Sequence, residues 1–489
     1  MDASRLSNPD LAPTTAAQRT WGTWHVAALW IGMAVCVPTY MLAAGMIGAG
    51  MSWWQASLTV ALGNLVVTVP MILNGHAGTR WGVPFPVLVR SSFGISGAHV
   101  PSLARALVAC GWFGIQTWIG GAAIHQILVS AGVLEPAPTA PESLGPLGIT
   151  ASQGACFLGF WAVHVVIVLR GIDSIRFLES WASPFLLACG VALLGWAVAK
   201  ARGMQDLLIP ASYPPGASFS SVFVPQLTAM VGFWATLSLN IPDFTRYCRG
   251  QRQQALGQLL GLPTTMTLFA FIGIAVTGVS ASVFGAPIWD PVVLAGRIGA
   301  GSPLLVAVAL LALVLATLTT NVAANIVSPA NGFSNLWPRR IGFRTGALLT
   351  CVIGVAMMPW KLLSSFNDYV FTWLIGYSAL LGPIAGIMLC DYYIIRRTRL
   401  DPQALYEPRG PYRGVNPAAM TALLLAVAPN APGFVNALCT GPGGGPPVFP
   451  RIFDDIYAYA WFVGAGLGAL LYWILRAGRP WSASAAPHP

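Results

Sequence analysis

Tryptophan, glutamine, asparagine and threonine recur at helical spacing inside the most apolar parts of this chain. Residues 111–118 read Gly-Trp-Phe-Gly-Ile-Gln-Thr-Trp, which puts Trp112 and Gln116 four apart on one helix face. An indole is a flat apolar plate and a primary amide both donates and accepts, so the pair suits a flat ring with amide-like edges. It also suits plain helix–helix packing, and spacing alone leaves both readings open. Residues 316–325 read Ala-Thr-Leu-Thr-Thr-Asn-Val-Ala-Ala-Asn, again with two amides, Asn321 and Asn325, four apart. A threonine hydroxyl is a hard oxygen ligand that can join backbone carbonyls of an interrupted helix around sodium, or can bond its own helix instead. Residues 233–243 add Phe233, Trp234, Thr236, Ser238, Asn240 and Asp243.

Titratable groups are scarcer. Asp243 precedes Arg246 and Arg249, a spacing that predicts a structural ion pair or gate latch in preference to a proton carrier. His125 and His164 fall inside apolar stretches; each can titrate near neutral pH, and each is read as a satisfied packing histidine. No acidic residue sits at the centre of an apolar stretch. Proton coupling ordinarily needs a titratable relay, so the balance favours sodium over protons. The chain has no HExxH motif, no G-x-S-x-G elbow, no Walker motif and no pair of intramembrane aspartates, so it carries no enzyme signature and no ATP drive. Its eight cysteines, among them Cys36, Cys110, Cys189, Cys351 and Cys390, show no metal-type pairing and read as small buried hydrophobes. No cofactor or prosthetic group is expected.

The elements that must hold these residues are membrane helices. The chain has 489 residues, 56% hydrophobic and 8% charged, far below the quarter or so charged that a soluble domain carries. Its apolar runs are long and continuous, unlike the alternating strands of a porin-like barrel. The predicted spans are 25–49, 54–74, 102–132, 152–170, 180–199 and 221–243, then 258–284, 303–327, 344–360, 367–394, 415–433 and 454–475. The glycine-proline tract at 441–450 is expected to be a solvent-facing loop. Of 25 Lys and Arg residues, all but Lys200, Arg202, Arg297, Lys361 and Arg451 fall on the side shared by both termini. That asymmetry makes both termini cytoplasmic and the number of spans even. The net charge of +10 belongs to short loops beside lipid headgroups; no aromatic-interleaved basic patch points to nucleic acid. The polar N-terminus lacks a cleavable signal pattern.

An all-α bundle of about twelve helices suits a secondary transporter built from two inverted five-helix halves plus two C-terminal helices. The expected organisation is a cytoplasmic tail at 1–24, a first repeat at 25–199 and a second at 221–394. A cytoplasmic loop at 395–414, two further helices at 415–475 and a cytoplasmic tail at 476–489 complete it. In this plan the first and sixth spans are interrupted near mid-membrane. Pro38 in the first, and Gly232 and Pro242 in the sixth, are the residues that point to such breaks.

Longer segments carry a family resemblance. Residues 38–45 (Pro-Thr-Tyr-Met-Leu-Ala-Ala-Gly), 52–55 (Ser-Trp-Trp-Gln) and 82–94 (Gly-Val-Pro-Phe-Pro-Val-Leu-Val-Arg-Ser-Ser-Phe-Gly) belong to it, as does 111–118. So do 240–246 (Asn-Ile-Pro-Asp-Phe-Thr-Arg), 320–325 (Thr-Asn-Val-Ala-Ala-Asn) and 382–388 (Gly-Pro-Ile-Ala-Gly-Ile-Met). With these, the chain resembles the nucleobase:cation symporter-1 family from about residue 20 to residue 415. The resemblance implies a five-plus-five inverted repeat, alternating access and symport of a small planar N-heterocycle such as uracil, allantoin or a hydantoin. It implies that Trp112 and Trp234 sandwich the ring, that Gln116 and Asn325 bond its amide edges, and that Asn321, Phe233 and Cys36 line the pocket. The cation ligands it implies are the hydroxyls of Thr319 and Thr320 and the carbonyls of Gly32, Val35 and Ala316. Cys36 stands where hydantoin permeases of the family carry glutamine, and Phe233 where they carry glycine, so the substrate stays open among these rings. A monomer in the plasma (inner) membrane, coupled to sodium or protons, is the expected working form.

Overall fold

The computed structural model describes residues 6–138, 147–170, 188–440 and 445–477, with only the backbone of Ala323. The chain begins with α1 (Thr23–Ala34) and, after a 60° bend, α2 (Val37–Gly48). Next come α3 (Trp53–Trp81), α4 (His99–Ser130), α5 (Ala151–Arg170) and the shorter α6 (Ala188–Lys200). Trp234 separates α7 (Phe219–Phe233) from α8 (Ala235–Asn240). The long α9 (Gln251–Phe284) leads to the short α10 (Pro291–Ile298), and Ile326 joins α11 (Pro303–Asn325) to α12 (Val327–Leu336). Last are α13 (Phe343–Ala356), α14 (Asp368–Ile395), α15 (Pro417–Cys439) and the bent pair α16 (Ile452–Ala458) and α17 (Ala460–Arg476). These segments fall in the order of the twelve predicted spans; among the described residues seven helices, or nine if each bent pair is one span, are long and apolar enough to cross a membrane. Of the fifth, only residues 188–199 are described, and the loop tract is described only from residue 445. No strand occurs among the described residues, only an isolated bridge between Trp21 and Cys248.

The interruptions have identifiable causes. Proline has no N–H, and its ring collides with the carbonyl four residues earlier, so it weakens a helix that runs through it and is well suited to start one. Pro38 accordingly sits in the first turn of α2, and Cys36 before it is extended. Pro329 likewise denies a donor to the carbonyl of Asn325, and the helix resets at Ile326. The sixth span carries no proline at its break. Trp234 makes a tighter turn, its N–H reaching Val231 O at 3.3 Å, so the chain steps aside and does not reverse. Pro242 begins a separate short turn after α8.

Small residues bring the spans together. In α14, Gly382 and Gly386 lie directly on the backbone of Trp461 and Ala465 in α17, while Gly464 and Gly468 receive Pro383 in return. Lipid gives no hydrophobic drive for helix pairing, so close backbone approach at such small-xxx-small patches does that work. Helix α14 also opens and closes on π-helical turns, Asp368–Ile375 and Cys390–Ile395.

The end of the bundle where the N-terminal segment packs is tied by two buried charges. Arg90, 1% exposed, donates to Leu405 O at 3.0 Å, Leu6 O at 2.9 Å and Asn335 Oδ1 at 2.6 Å. Burial lowers its pKa to about 10, which leaves it charged at neutral pH. Asp391, fully buried, accepts from Ser92, from Tyr472 and from Arg396 Nε at 2.7 Å. The segment read as a polar tail is seated in this layer: Leu11 is fully buried, and Arg246 donates to the carbonyls of Asp10 and Ala12. The predicted Asp243–Arg246 ion pair does not form, because Arg246 turns to that segment. Asp243 instead accepts from Phe85 N at 2.8 Å, Ser328 at 3.1 Å and Asn240 at 3.3 Å.

A Cβ on Gly386 meets the carbonyl of Ala465, whereas one on Gly466 of α17 meets nothing within 4 Å. Gly386→Ala is therefore expected to cost about 1–3 kcal/mol and to lower the melting temperature in detergent, with Gly466→Ala as the unaffected control. Equal melting temperatures for the two variants would contradict the packing.

Candidate functional site

The helix interruptions converge on one small cavity of about 30 Å³. Its wall includes Met33, Cys36 and Pro38 from the first span, Trp112 and Gln116 from α4, and Phe233, Trp234, Thr236 and Leu237 from the sixth. Thr320, Ala324 and Asn325 of α11 complete it. Trp112, Gln116, Phe233, Trp234, Asn325 and Cys36, all named from the sequence, thus meet in space. Gly111 is what lets the wall close behind Trp112, because a Cβ there would strike the ring of Trp373.

The cavity is strongly aromatic. Trp112 meets Phe233 at 5.0 Å between centroids, and Tyr369, Trp373 and Tyr377 of α14 surround its other edges at 6.2, 5.9 and 6.4 Å. The expected sandwich of Trp112 and Trp234 holds a third ring: Phe233 stands 4.9 Å from Trp234 as well. Trp234 is fixed from behind, edge-on to Trp30 at 5.2 Å and with its N–H on Met266 Sδ. Tyr369 and Tyr377 each tie α14 to an interrupted span, through Pro38 O at 3.5 Å and Gly232 O at 2.8 Å. Spacing in the sequence gave no hint of these two tyrosines, since their partners are backbone carbonyls of spans distant in sequence.

The polar atoms divide sharply. Gln116 Oε1 and Thr320 Oγ1 are buried with no hydrogen-bond partner. A buried unpaired polar atom is costly, and in a native protein calls for a ligand, ion or water. Thr319 is different: its hydroxyl bonds its own helix at Leu315 O (2.9 Å) and Ala316 O (3.1 Å). Asn321 does not reach the cavity wall. It stands behind Asn325 and accepts its amide N–H at 3.0 Å, so it supports the pocket from a second layer.

The break in the first span also frees carbonyls. Cys36 N donates to Ala34 O at 3.0 Å and Thr39 N to Cys36 O at 3.1 Å. Neither reaches the carbonyl four residues before it, so Gly32 O and Val35 O lose the donors of a continuous helix. Val35 and Ala316 line a neighbouring apolar cavity that shares Cys36 with the first, and α1 packs on α11. The arrangement offers neutral oxygens beside the aromatic pocket. Among the described residues, no three His, Cys, Asp or Glu side chains gather to hold a metal ion. His125 pairs with Ser152 at 3.1 Å, His164 is enclosed in the bundle, and Glu179 lies outside the described residues.

Comparison with known proteins points the same way. Residues 13–464 match the family of permeases for cytosine/purines, uracil, thiamine and allantoin. The chain is 45% identical to the purine-uracil permease NCS1 of Arabidopsis thaliana, over 99% of this chain and 80% of that one. It is 38% identical to the allantoin permease of Bacillus subtilis, over 98% and 94%. Its backbone matches, at TM-score 0.78 and 28% identity, that of Mhp1, a nucleobase-cation-symport-1 family transporter solved in a closed conformation with bromovinylhydantoin bound. That match covers 98% of both chains. An all-helical five-plus-five transporter fold, an aromatic pocket at its broken helices and these matches together identify the chain as a multi-pass membrane protein. It belongs to the permease family for cytosine/purines, uracil, thiamine and allantoin, the nucleobase:cation symporter-1 family.

Proposed function

We propose that this permease imports a small planar N-heterocycle of the nucleobase, allantoin or hydantoin class by sodium symport and alternating access. The observation that carries the proposal is the pair of orphaned buried oxygens, Gln116 Oε1 and Thr320 Oγ1, in a cavity walled by Trp112, Phe233 and Trp234. A heterocycle with an amide edge satisfies Gln116 and Asn325 while its faces lie on aromatic rings. Hydrogen bonds from Trp112 and Trp234 are not required, because each ring acts here as an apolar plate. The relatives named for purines, uracil and allantoin, and the bromovinylhydantoin in Mhp1, support this substrate class.

Sodium is favoured by the donor set. Thr319 and Thr320 offer hydroxyls, and Gly32, Val35 and Ala316 offer carbonyls, all of them uncharged. No carboxylate lines the aromatic cavity. One observation favours a proton instead: Asp243, buried, faces a separate cavity of about 500 Å³ with Ser328 and Asn331. Its three hydrogen bonds fit a fixed carboxylate between α8, α12 and the loop at 84–94 better than a shuttle. The protein works, in this reading, as a monomer in the plasma (inner) membrane with both termini cytoplasmic. Its repeats span 25–199 and 221–394.

Trp112→Ala is expected to abolish heterocycle binding measured by calorimetry, and Asn325→Ala to weaken it strongly but measurably, while the purified variants stay folded. Losing a single buried hydrogen bond corresponds to roughly ten- to hundredfold in affinity. Parent-like affinity in both variants would remove the pocket assignment. Thr320→Ala is expected to weaken the sodium dependence of binding before it touches binding without sodium; an unchanged sodium dependence would count against the cation site. Phe233→Gly is expected to admit ring-substituted hydantoins that the parent excludes, and no change in that range would show that Phe233 does not limit the pocket.

A further inference from the structure

We infer that His164, on a helix that contributes nothing to the cavity wall, is a positioning residue that fixes which way Asn325 presents its amide to the ligand. The inference rests on the substrate class proposed above and adds to it the edge that the pocket reads. His164 is fully buried in α5, its ring held edge-on between Phe160 and Phe113 at 4.6 and 5.3 Å. Its Nδ1 lies 2.9 Å from Phe160 O. A carbonyl only accepts, so Nδ1 carries the hydrogen, and the neutral ring turns a lone pair at Nε2 to the other side.

That lone pair faces the amide nitrogen of Asn321 at 3.2 Å. The same nitrogen is 3.1 Å from Phe113 O and 3.1 Å from Thr117 Oγ1. Thr117 spends its own hydrogen on Phe113 O at 2.7 Å, so towards Asn321 it too can only accept. Three acceptors from two helices therefore surround one end of the Asn321 side chain. Rotating its amide by half a turn would set Oδ1 against all three. With the nitrogen fixed there, Asn321 Oδ1 turns to Asn325 and accepts from its Nδ2 at 3.0 Å. The polarity passes along the chain: Asn325 must keep its nitrogen towards Asn321, and its Oδ1, which has no partner among the described residues, is left for the cavity it lines.

Gln116 has no such support. Its Oε1 is unpaired and no hydrogen bond among the described residues holds its amide, so Gln116 can follow the ligand while Asn325 dictates to it. A fixed Oδ1 with a free N–H beside it complements a ring edge that carries an N–H next to a carbonyl, as in an imide or cyclic ureide. A methyl group on that ring nitrogen removes the donor and meets Oδ1 directly. Doubly protonated His164 would put a second N–H against the amide of Asn321, so the relay needs the neutral ring.

The test is binding of uracil, hydantoin and allantoin, with 3-methyluracil and 3-methylhydantoin as the blocked counterparts, to the full-length purified protein. His164→Phe keeps a flat ring and deletes the acceptor. It is expected to weaken binding about tenfold, the effect of one poorly held hydrogen bond, and to shrink the preference for the unmethylated ring. His164→Gln, which restores an acceptor, is expected to recover most of that preference. In an Asn325→Ala background, His164→Phe should change affinity no further, because the relay ends on Asn325. Asn321→Val, which deletes the middle link, gives a second route to the same readout if His164→Phe does not fold. A parent-like affinity and methyl penalty in the folded variants would overturn the relay, as would full additivity with Asn325→Ala. A parent that binds none of these rings would instead overturn the substrate class.

Discussion

A bilayer offers no water to backbone groups, so every N–H and C=O within it must find a partner in the protein. This fold spends that constraint at three places. Pro38, the turn at Trp234 and Pro329 each interrupt a span, and each leaves polar atoms that a continuous helix would have consumed. One of those atoms is taken up by the structure: Tyr377 donates to Gly232 O, just before the turn at Trp234. Others, such as the carbonyls of Gly32 and Val35, are not. The aromatic pocket lies where the interruptions meet, and its unpaired oxygens are the ones that a neutral ring or a cation can use.

Rigidity around the breaks follows from packing. Glycines let α14 lie against both α17 and α4, and the buried charges of Arg90 and Asp391 pin the loops at that end and the segment at Leu6 to the helix ends. The substrate-facing residues thus stand on helices whose positions are set from outside the pocket. Phe233, between the two indoles, is the one ring in the cavity whose movement would open the sandwich.

Much of this was legible in the letters. Long apolar runs gave the helices, and a four-residue spacing put Trp112 with Gln116 and Asn321 with Asn325. Spacing could not say which member of a pair faces inwards. Thr319 and Thr320 are adjacent and identical in type, yet one bonds its own helix and the other is left unpaired. Asn321 and Asn325 share a face, yet only one lines the cavity. The Asp243–Arg246 pairing was sequence-local and lost to partners distant in sequence, Phe85 and Ser328 for the acid and Asp10 and Ala12 for the base. His164 looked like a packing residue because its partner is a side chain on another helix.

In the function proposed above, an uncharged pocket couples the inward movement of a neutral ring to sodium. The most direct test of that coupling is uptake of radiolabelled uracil and allantoin by proteoliposomes carrying either an inward sodium gradient at uniform pH or an inward proton gradient without sodium. The account predicts accumulation above equilibrium under the sodium gradient alone, lost when sodium is equal on both sides. Accumulation that needs no sodium and disappears when the pH gradient is collapsed would contradict it.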